Sequence, residues 1–344
     1  MAILVTGGAG YVGSHVCLEL IREGYEIVIV DDFRNSDRSV ISALADITGI
    51  RPKIYDVDIK NGNALNYIFV KEKIDTVIHL AAYKAVNESV KRPVEYYLNN
   101  VSGLLTILEV MKDRGIKNLI FSSSATVYGE PDDAPICEDH ALEAKNPYGR
   151  SKIISEQILN DLYNSDPDWN IIIFRYFNPI GADASGLIGE NPRTGSQNLI
   201  PKIVEVLRGE TTHLSVYGYD YSTRDGTAIR DYVHISDIAK AHVKGIERIA
   251  MNKGIDTYNL GTGKGYTVLE VIEAYQSACG RSIPFDLCER REGDAMICYC
   301  DASKAERELN WKAERSLNEM CEDSWRWENG RSGNKNILWN TNRA

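Results

Sequence analysis

The polarity pattern of this chain changes period as it runs. Short, almost wholly apolar runs rich in Val and Ile occur at Ala2–Thr6 and Glu26–Asp31, and at residues 53–57, 76–80, 118–122 and 171–176. Strands covered on both faces read this way, whereas a strand with one wet face alternates. Between them lie amphipathic stretches of helical character, the first over residues 14–23. Strand alternating with helix predicts an α/β fold built on a parallel, doubly wound sheet. After Asn178-Pro179 the texture changes. Residues 181–197 are rich in Gly, Pro, Ser and Asn and read as loops, and the strands and helices beyond are shorter. We expect a first domain over residues 1–177 and a smaller C-terminal α/β substrate domain over 178–344. Residues 230–249 read as a strand end and a helix, with His234, Ile238, Ala241 and Ile246 spaced along it, and part of 230–262 is expected to pack back on the first domain. The polar tail from Asn329 is expected to fray.

Composition narrows the classes. The chain has 344 residues, 43% hydrophobic and 26% charged, which suits a globular protein with one large or two moderate cores. The net charge is −10 and there is no long Lys/Arg block, so nucleic acid is excluded as an expected partner. An anionic ligand must then be held by a local site. No apolar run reaches the roughly 18 residues of a membrane span, and a strand starting at Ala2 leaves no place for a leader peptide. Seven scattered cysteines, with Cys298-Tyr299-Cys300 the only close pair, lack zinc or redox spacing. The expectation is reduced thiols, a cytoplasmic protein and no metal.

The first strand runs into Thr6-Gly7-Gly8-Ala9-Gly10-Tyr11-Val12-Gly13 and then into a helix. This is the context of a dinucleotide site: Gly7 permits the tight turn, Gly10 lets backbone approach a pyrophosphate, and Gly13 lets helix and strand close up. The pyrophosphate meets the free amides and positive end of the helix. Tyr11 and Val12 lie in the turn. Asp31 ends strand two, where it can accept hydrogen bonds from both ribose hydroxyls and repel a 2′-phosphate, favouring NAD over NADP. Asp32, Asn35 and Ser36 follow it, and Arg34 is the residue that argues the other way. Asp58-Ile59 closes strand three, with Asp58 able to bond an adenine amino group or to cap a helix. Leu80, Ala81 and Ala82 close strand four and can lie against the cofactor. Lys84 can reach a ribose or phosphate or stay in solvent, and Asn99 is either a cofactor-side amide or a packed polar group.

Oxidising an alcohol requires the hydroxyl proton to leave with the hydride. Tyr148 and Lys152 stand one helical turn apart on one face. A tyrosine has a reference pKa of about 10, and bringing it to 7 takes about 4 kcal/mol of preferential phenolate stabilisation. The Lys152 ammonium and a positively charged nicotinamide are expected to supply it. Ser124, in a serine run at the end of strand five, can bond the substrate oxygen and relay the proton.

These residues resemble the extended short-chain dehydrogenase/reductase superfamily, and within it the UDP-glucose 4-epimerases. The resemblance covers nearly the whole chain, through residues 5–14, 75–79, 85–86, 88–90, 121–129, 147–152, 175–178, 230–234, 258–261, 290–294 and 301–311. It implies reversible epimerisation at C4 of a UDP-hexose through a transient 4-keto sugar and tightly held NAD, by a homodimer pairing helices near residues 95–111 and 152–162. It also implies that Asn178, Asn198, Leu199, Val216, Tyr217, Gly218, Arg230, Arg291 and Asp294 hold the UDP. Phe177 is expected to line the nicotinamide pocket or to pack in the core. Where some members carry a bulky tyrosine after the Arg-Glu-Gly-Asp run, this chain has Cys298. The smaller residue frees room for an N-acetyl group, so UDP-GlcNAc/UDP-GalNAc join the expected substrates, although a one-residue slip onto Tyr299 would restore the bulk. The competing readings are a nucleotide-sugar dehydratase, a reductase of the same superfamily, and a non-catalytic NAD-binding scaffold. A dehydratase needs an Asp-Glu pair after the serine loop, where this chain has Ala125-Thr126.

Overall fold

The computed structural model describes residues 2–131, 133–192, 198–291 and 293–340, with side chains to residue 331. Residues 193–197 of the expected loop, Glu292 and the last four residues lie outside that set. The first half alternates as the pattern predicts: β1 (Ala2–Thr6), α1 (Tyr11–Arg22), β2 (Glu26–Asp31), α2 (Ser39–Thr48), β3 (Lys53–Asp56), α3 (Gly62–Glu72), β4 (Ile74–His79), α4 (Val86–Lys91), α5 (Pro93–Asp113), β5 (Asn118–Ser124), α6 (Pro147–Ser165) and β6 (Asn170–Tyr176). The second half gives β7 (Asn178–Ile180), α7 (Leu199–Leu207), β8 (Leu214–Tyr217), β9 (Ile229–His234), α8 (Ile235–Met251), β10 (Gly254–Leu260), β11 (Gly265–Thr267), α9 (Val268–Cys279), β12 (Phe285–Cys288), β13 (Ile297–Cys298), α10 (Ser303–Leu309) and α11 (Leu317–Asn340).

Seven strands form one all-parallel sheet in the order β10-β6-β5-β4-β1-β2-β3. Successive residues of each strand feed opposite cores. Val5, Ile29, Ile78 and Ile120 pack under α1, α2 and α8, through Val16, Ile41 and Ile238. Leu4, Val28, Val77 and Leu119 pack under α3, α5 and α6, through Phe69, Ile107 and Leu159. The sheet order reverses between β1 and β4, which opens a crevice at their carboxyl ends. β10, which its mixed sequence did not mark as a strand, pairs with β6 along its whole length, Gly254 opposite Asn170.

The later residues build a smaller layer. β9 pairs with β7, β11 and β13, and β8 pairs with β12. Beneath them α7, α9 and α11 share a core that includes Ile203, Ile272 and Met320. A capping box, Thr267 with Glu270, starts α9. The tail differs from expectation. α11 continues through Asn329, and neighbours hold the turn that contains it: Trp327 Nε1 donates to Glu190 O at 3.0 Å, Arg208 pairs with Glu328, and Arg331 donates to Asn191 Oδ1 at 2.7 Å.

Candidate active site

The glycine turn is built by close approach. Gly7 takes φ +70° and donates its N–H to Val30 O at 2.8 Å. A Cβ on Gly7 would come within 2.8 Å of Ala81 N, and one on Gly13 within 2.1 Å of Gly7 O. Only hydrogen fits at either place. Gly10 caps α1 with no side chain in the way, so the first amides of the helix remain available to an anion. One cleft is lined by Gly7 and Gly10 from this turn, by Tyr11, Val12 and Gly13 from the start of α1, and by Asp31, Asp32, Asn35 and Ser36 at and after the end of β2. Ile59, Leu80, Ala81, Ala82, Lys84 and Asn99 complete the expected wall. A cradle that any Cβ would fill, facing a helix N-terminus and an acidic strand end, fits a dinucleotide.

Asp31 is nearly buried. Its Oδ2 accepts from Ala9 N at 3.0 Å, and its Oδ1 accepts from Phe33 N at 2.9 Å and Ser36 Oγ at 2.7 Å. Burial raises its carboxyl above the usual range, against those three bonds. With about four acceptor sites on a carboxylate, roughly one stays open, fewer than two ribose hydroxyls would use. Arg34 is claimed by Asp32 at 3.1 Å and Asp58 at 3.4 Å, which weakens its case as a 2′-phosphate partner. Asp58 stands apart from the cleft lining. Its Oδ1 accepts from Lys60 N at 2.9 Å, the geometry of a turn cap.

Asn146 caps α6, accepting from Gly149 N at 2.9 Å, with Pro147 in the first turn. This fixes Tyr148 and Lys152 over the end of β5. Lys152 is buried, and its Nζ donates to Ser122 O at 2.6 Å and lies 4.8 Å from the Phe121 ring centre. Burial lowers its pKa to about 7, with the Glu156 carboxylate opposing. Glu156 itself is held by Arg175 at 2.7 Å and by Ser123. The Tyr148 phenol is pushed above its usual value by burial, while a hydrogen bond to Ser124 pulls it down. The Lys152 side chain is thus anchored on a backbone carbonyl, one helical turn from the phenol it is expected to support together with a nicotinamide. Asn99 donates to Asn100 Oδ1 at 3.1 Å. Asn100 in turn donates to Tyr83 O at 3.0 Å and Ser151 Oγ at 3.1 Å, and Ser151 to Tyr148 O at 2.7 Å. This chain of bonds ties α6 to the cleft wall.

On the far side, Arg230 and Arg291 share Asp294, at 3.8 Å and 2.9 Å. Two cations over one carboxylate leave a local positive charge on an acidic protein. Arg291 also lies over the Tyr217 ring at 4.8 Å. Asn178 Nδ2 donates to Asp231 O at 2.8 Å. Gly218 takes φ +80°. Val216 is buried in the core, with its backbone paired to β12. Asn198 and Leu199 open α7, Asn198 as the residue before its first turn and Leu199 packed on that core. Cys298 pairs with Arg230 across β13–β9 and packs on the cluster of Tyr128, Ile136 and Phe177. Tyr299 points elsewhere: a Cβ on Gly265 would meet its ring at 3.2 Å. The register therefore puts the thiol, not the phenol, beside Arg230. Among the described residues one triplet, Cys137, Asp139 and His140, gathers within 4.8 Å. His140 has both ring nitrogens engaged, by Cys137 N and Asp133.

Comparison with known proteins separates the remaining readings. The matching family model, described as GDP-mannose 4,6 dehydratase, spans residues 4–324. A UDP-glucose 4-epimerase of Bacillus subtilis is 48% identical over 328 residues, 95% of this chain and 97% of that one. The chain belongs to the UDP-glucose 4-epimerase family. A solved UDP-glucose 4-epimerase of Stenotrophomonas maltophila, with NAD and formylated UDP-arabinopyranose bound, superposes with a TM-score of 0.95 at 45% identity, covering 97% of this chain and 99% of its own. That of Bifidobacterium longum, in complex with NAD+ and UDP, gives 0.93 at 47% identity, covering 96% and 99%. Within the broad model, Ala125-Thr126 after Ser124 lacks the acidic pair that water elimination needs, which sets this chain with the epimerases.

The sequence reading missed one wall of the cleft. Leu187, Ile188, Gly189, Glu190, Asn191 and Pro192 line it together with Trp327 of α11. Their composition signals only loop. No local pattern joins Glu190 to Lys84 or to a tryptophan near the end of the chain.

Proposed function

We propose that this enzyme inverts C4 of a UDP-hexose with one retained NAD, and that Tyr148 is its proton-transfer group. The observation that carries the reading is the chain of hydrogen bonds from Asn99 of the dinucleotide cleft through Asn100 and Ser151 to Tyr148 O, which ties the helix carrying Tyr148 and Lys152 to that cleft. NAD, when bound, supplies a reversible hydride acceptor for the carbon bearing the 4-hydroxyl. Tyr148 takes that hydroxyl's proton and returns it, and Ser124 bonds the oxygen that carries it. Lys152, poised near neutrality, supports the phenolate from its anchor on Ser122 O. The sugar passes through a 4-keto form and must turn over in place. Arg230 and Arg291 keep the diphosphate gripped by charge-assisted bonds during that turn, and Asp294 serves the ribose. Residues 1–177, with α8 and β10 from the returning segment, carry the cofactor under the wall of residues 187–192, and the remaining part of 178–344, Arg230 included, carries the nucleotide sugar. Asp58 acts through its hold on Arg34.

The small Cys298 side chain beside Arg230 leaves room for a 2-N-acetyl group, so both hexose and N-acetylhexosamine pairs are substrates. The exposed valines and leucines of α4 and α5 support a homodimer. All seven cysteines are free, which suits the cytoplasm, and no described helix is long and apolar enough to cross a membrane.

Incubation with UDP-galactose or UDP-GalNAc, without added cofactor, should convert both, and Tyr148→Phe should abolish turnover while leaving UDP binding intact. Conversion of UDP-galactose alone would reject the enlarged pocket. Undiminished turnover by Tyr148→Phe would reject the proton-transfer role.

A further inference from the structure

The cleft wall formed by residues 187–192 is fastened to the rest of the molecule at several points. At its root, Tyr11 OH, from the glycine turn, donates to Gly181 O at 2.7 Å, and Arg22 of α1 pairs with Asp183 at 3.0 Å. At its far end, Glu190 pairs with Lys84 across the mouth of the cleft at 3.2 Å, and Trp327 Nε1 donates to the Glu190 carbonyl. The Trp327 indole lies flat enough on Gly189 that a Cβ there would meet the ring at 2.4 Å. Lys84 follows β4 on one side of the cleft. Glu190 belongs to the chain that crosses from the other half.

From this we infer that residues 181–192 form a strap over the cofactor cleft, and that Glu190 and Gly189 set how slowly the dinucleotide leaves. The inference rests on the NAD reading above. A cofactor that cycles between two redox states within one turnover must not escape in either. The glycine cradle, one face of the site, cannot ensure this alone. The strap supplies the opposite face, and opening it requires parting Lys84 from Glu190 and lifting Gly189 off Trp327. Glu190 and Gly189 are thus positioning residues: they hold the lid of the site and take no part in the proton or hydride steps.

The test uses the full chain with its bound dinucleotide and follows exchange of that dinucleotide against excess labelled NAD. Glu190→Gln keeps shape and removes the charge. Because the pair is partly exposed, exchange should quicken by roughly two- to fivefold. Gly189→Ala drives a methyl into the indole ring and should quicken it further, with a lowered melting temperature of the cofactor-free protein that Glu190→Gln does not share. If the parent holds dinucleotide and both variants exchange at its rate, the strap has no such role. A parent that binds no dinucleotide overturns the cofactor reading, and the strap's role with it.

Discussion

Lys152 shows how burial resets the charge of a lysine. Moving its ammonium out of water lowers its pKa from the usual lysine value of 10.5 to about 7. Between those values the unfolded chain holds a proton that the folded one has shed, so stability should rise with pH across that window. Below pH 7 both states are protonated and the cost of the buried charge is fully present. Lys152→Met, which keeps the reach without the charge, should flatten this rise and stabilise the cofactor-free protein at pH 7. Urea midpoints at pH 7 and pH 9 measure it, and equal slopes in parent and variant would reject the account. The residue types here were readable from the sequence, since Tyr148 and Lys152 sit one turn apart and Ser124 ends a strand. Their settings were not readable. That Lys152 leans on Ser122 O, and that Glu156 is shared with Arg175, depends on β5, β6 and α6 meeting in space.

At the scale of elements, the unit β1–turn–α1–β2 was legible because every determinant lies within about thirty residues and each glycine has one steric reason to be there. Gly13→Ala tests the tightest of these. Its methyl would press on backbone, Gly7 O at 2.1 Å and Gly8 Cα at 2.7 Å, which no rotamer can relieve. Overpacking of this kind costs about 1–3 kcal/mol. Thermal melting should show that loss together with weakened dinucleotide binding, whereas Gly10→Ala, 3.2 Å from Gly7 O, should be milder. Equal melting of Gly13→Ala and parent would show that the helix can draw back at no cost. β10, α11 and the strap escaped the sequence for the opposite reason. Glycine, aspartate and threonine open β10, and its strand character comes from pairing with β6. α11 passes a polar stretch that reads as fraying until Trp327, Glu328 and Arg331 find their partners.

For the whole molecule, α4 and α5 leave an apolar stripe in water: Val90, Val94 and Leu98 are each more than half exposed, and Leu105 nearly so. A stripe of this kind fits an association surface, and a second copy of the same helices would cover it isologously. Val94→Asp should therefore halve the mass seen by light scattering at working concentration. A parent that already scatters as a monomer would remove the basis for this dimer.

The place of β10 in the sheet bears on how the protein is made. β6 cannot acquire its outer neighbour until the ribosome has delivered residue 260, well after the rest of that sheet is available. Until then a nascent chain presents an apolar parallel strand with an open edge, the feature that recruits stray partners. Splitting the gene at the apparent boundary near residue 177 would make that transient exposure permanent. The two halves are thus bound to a single reading frame by one late strand.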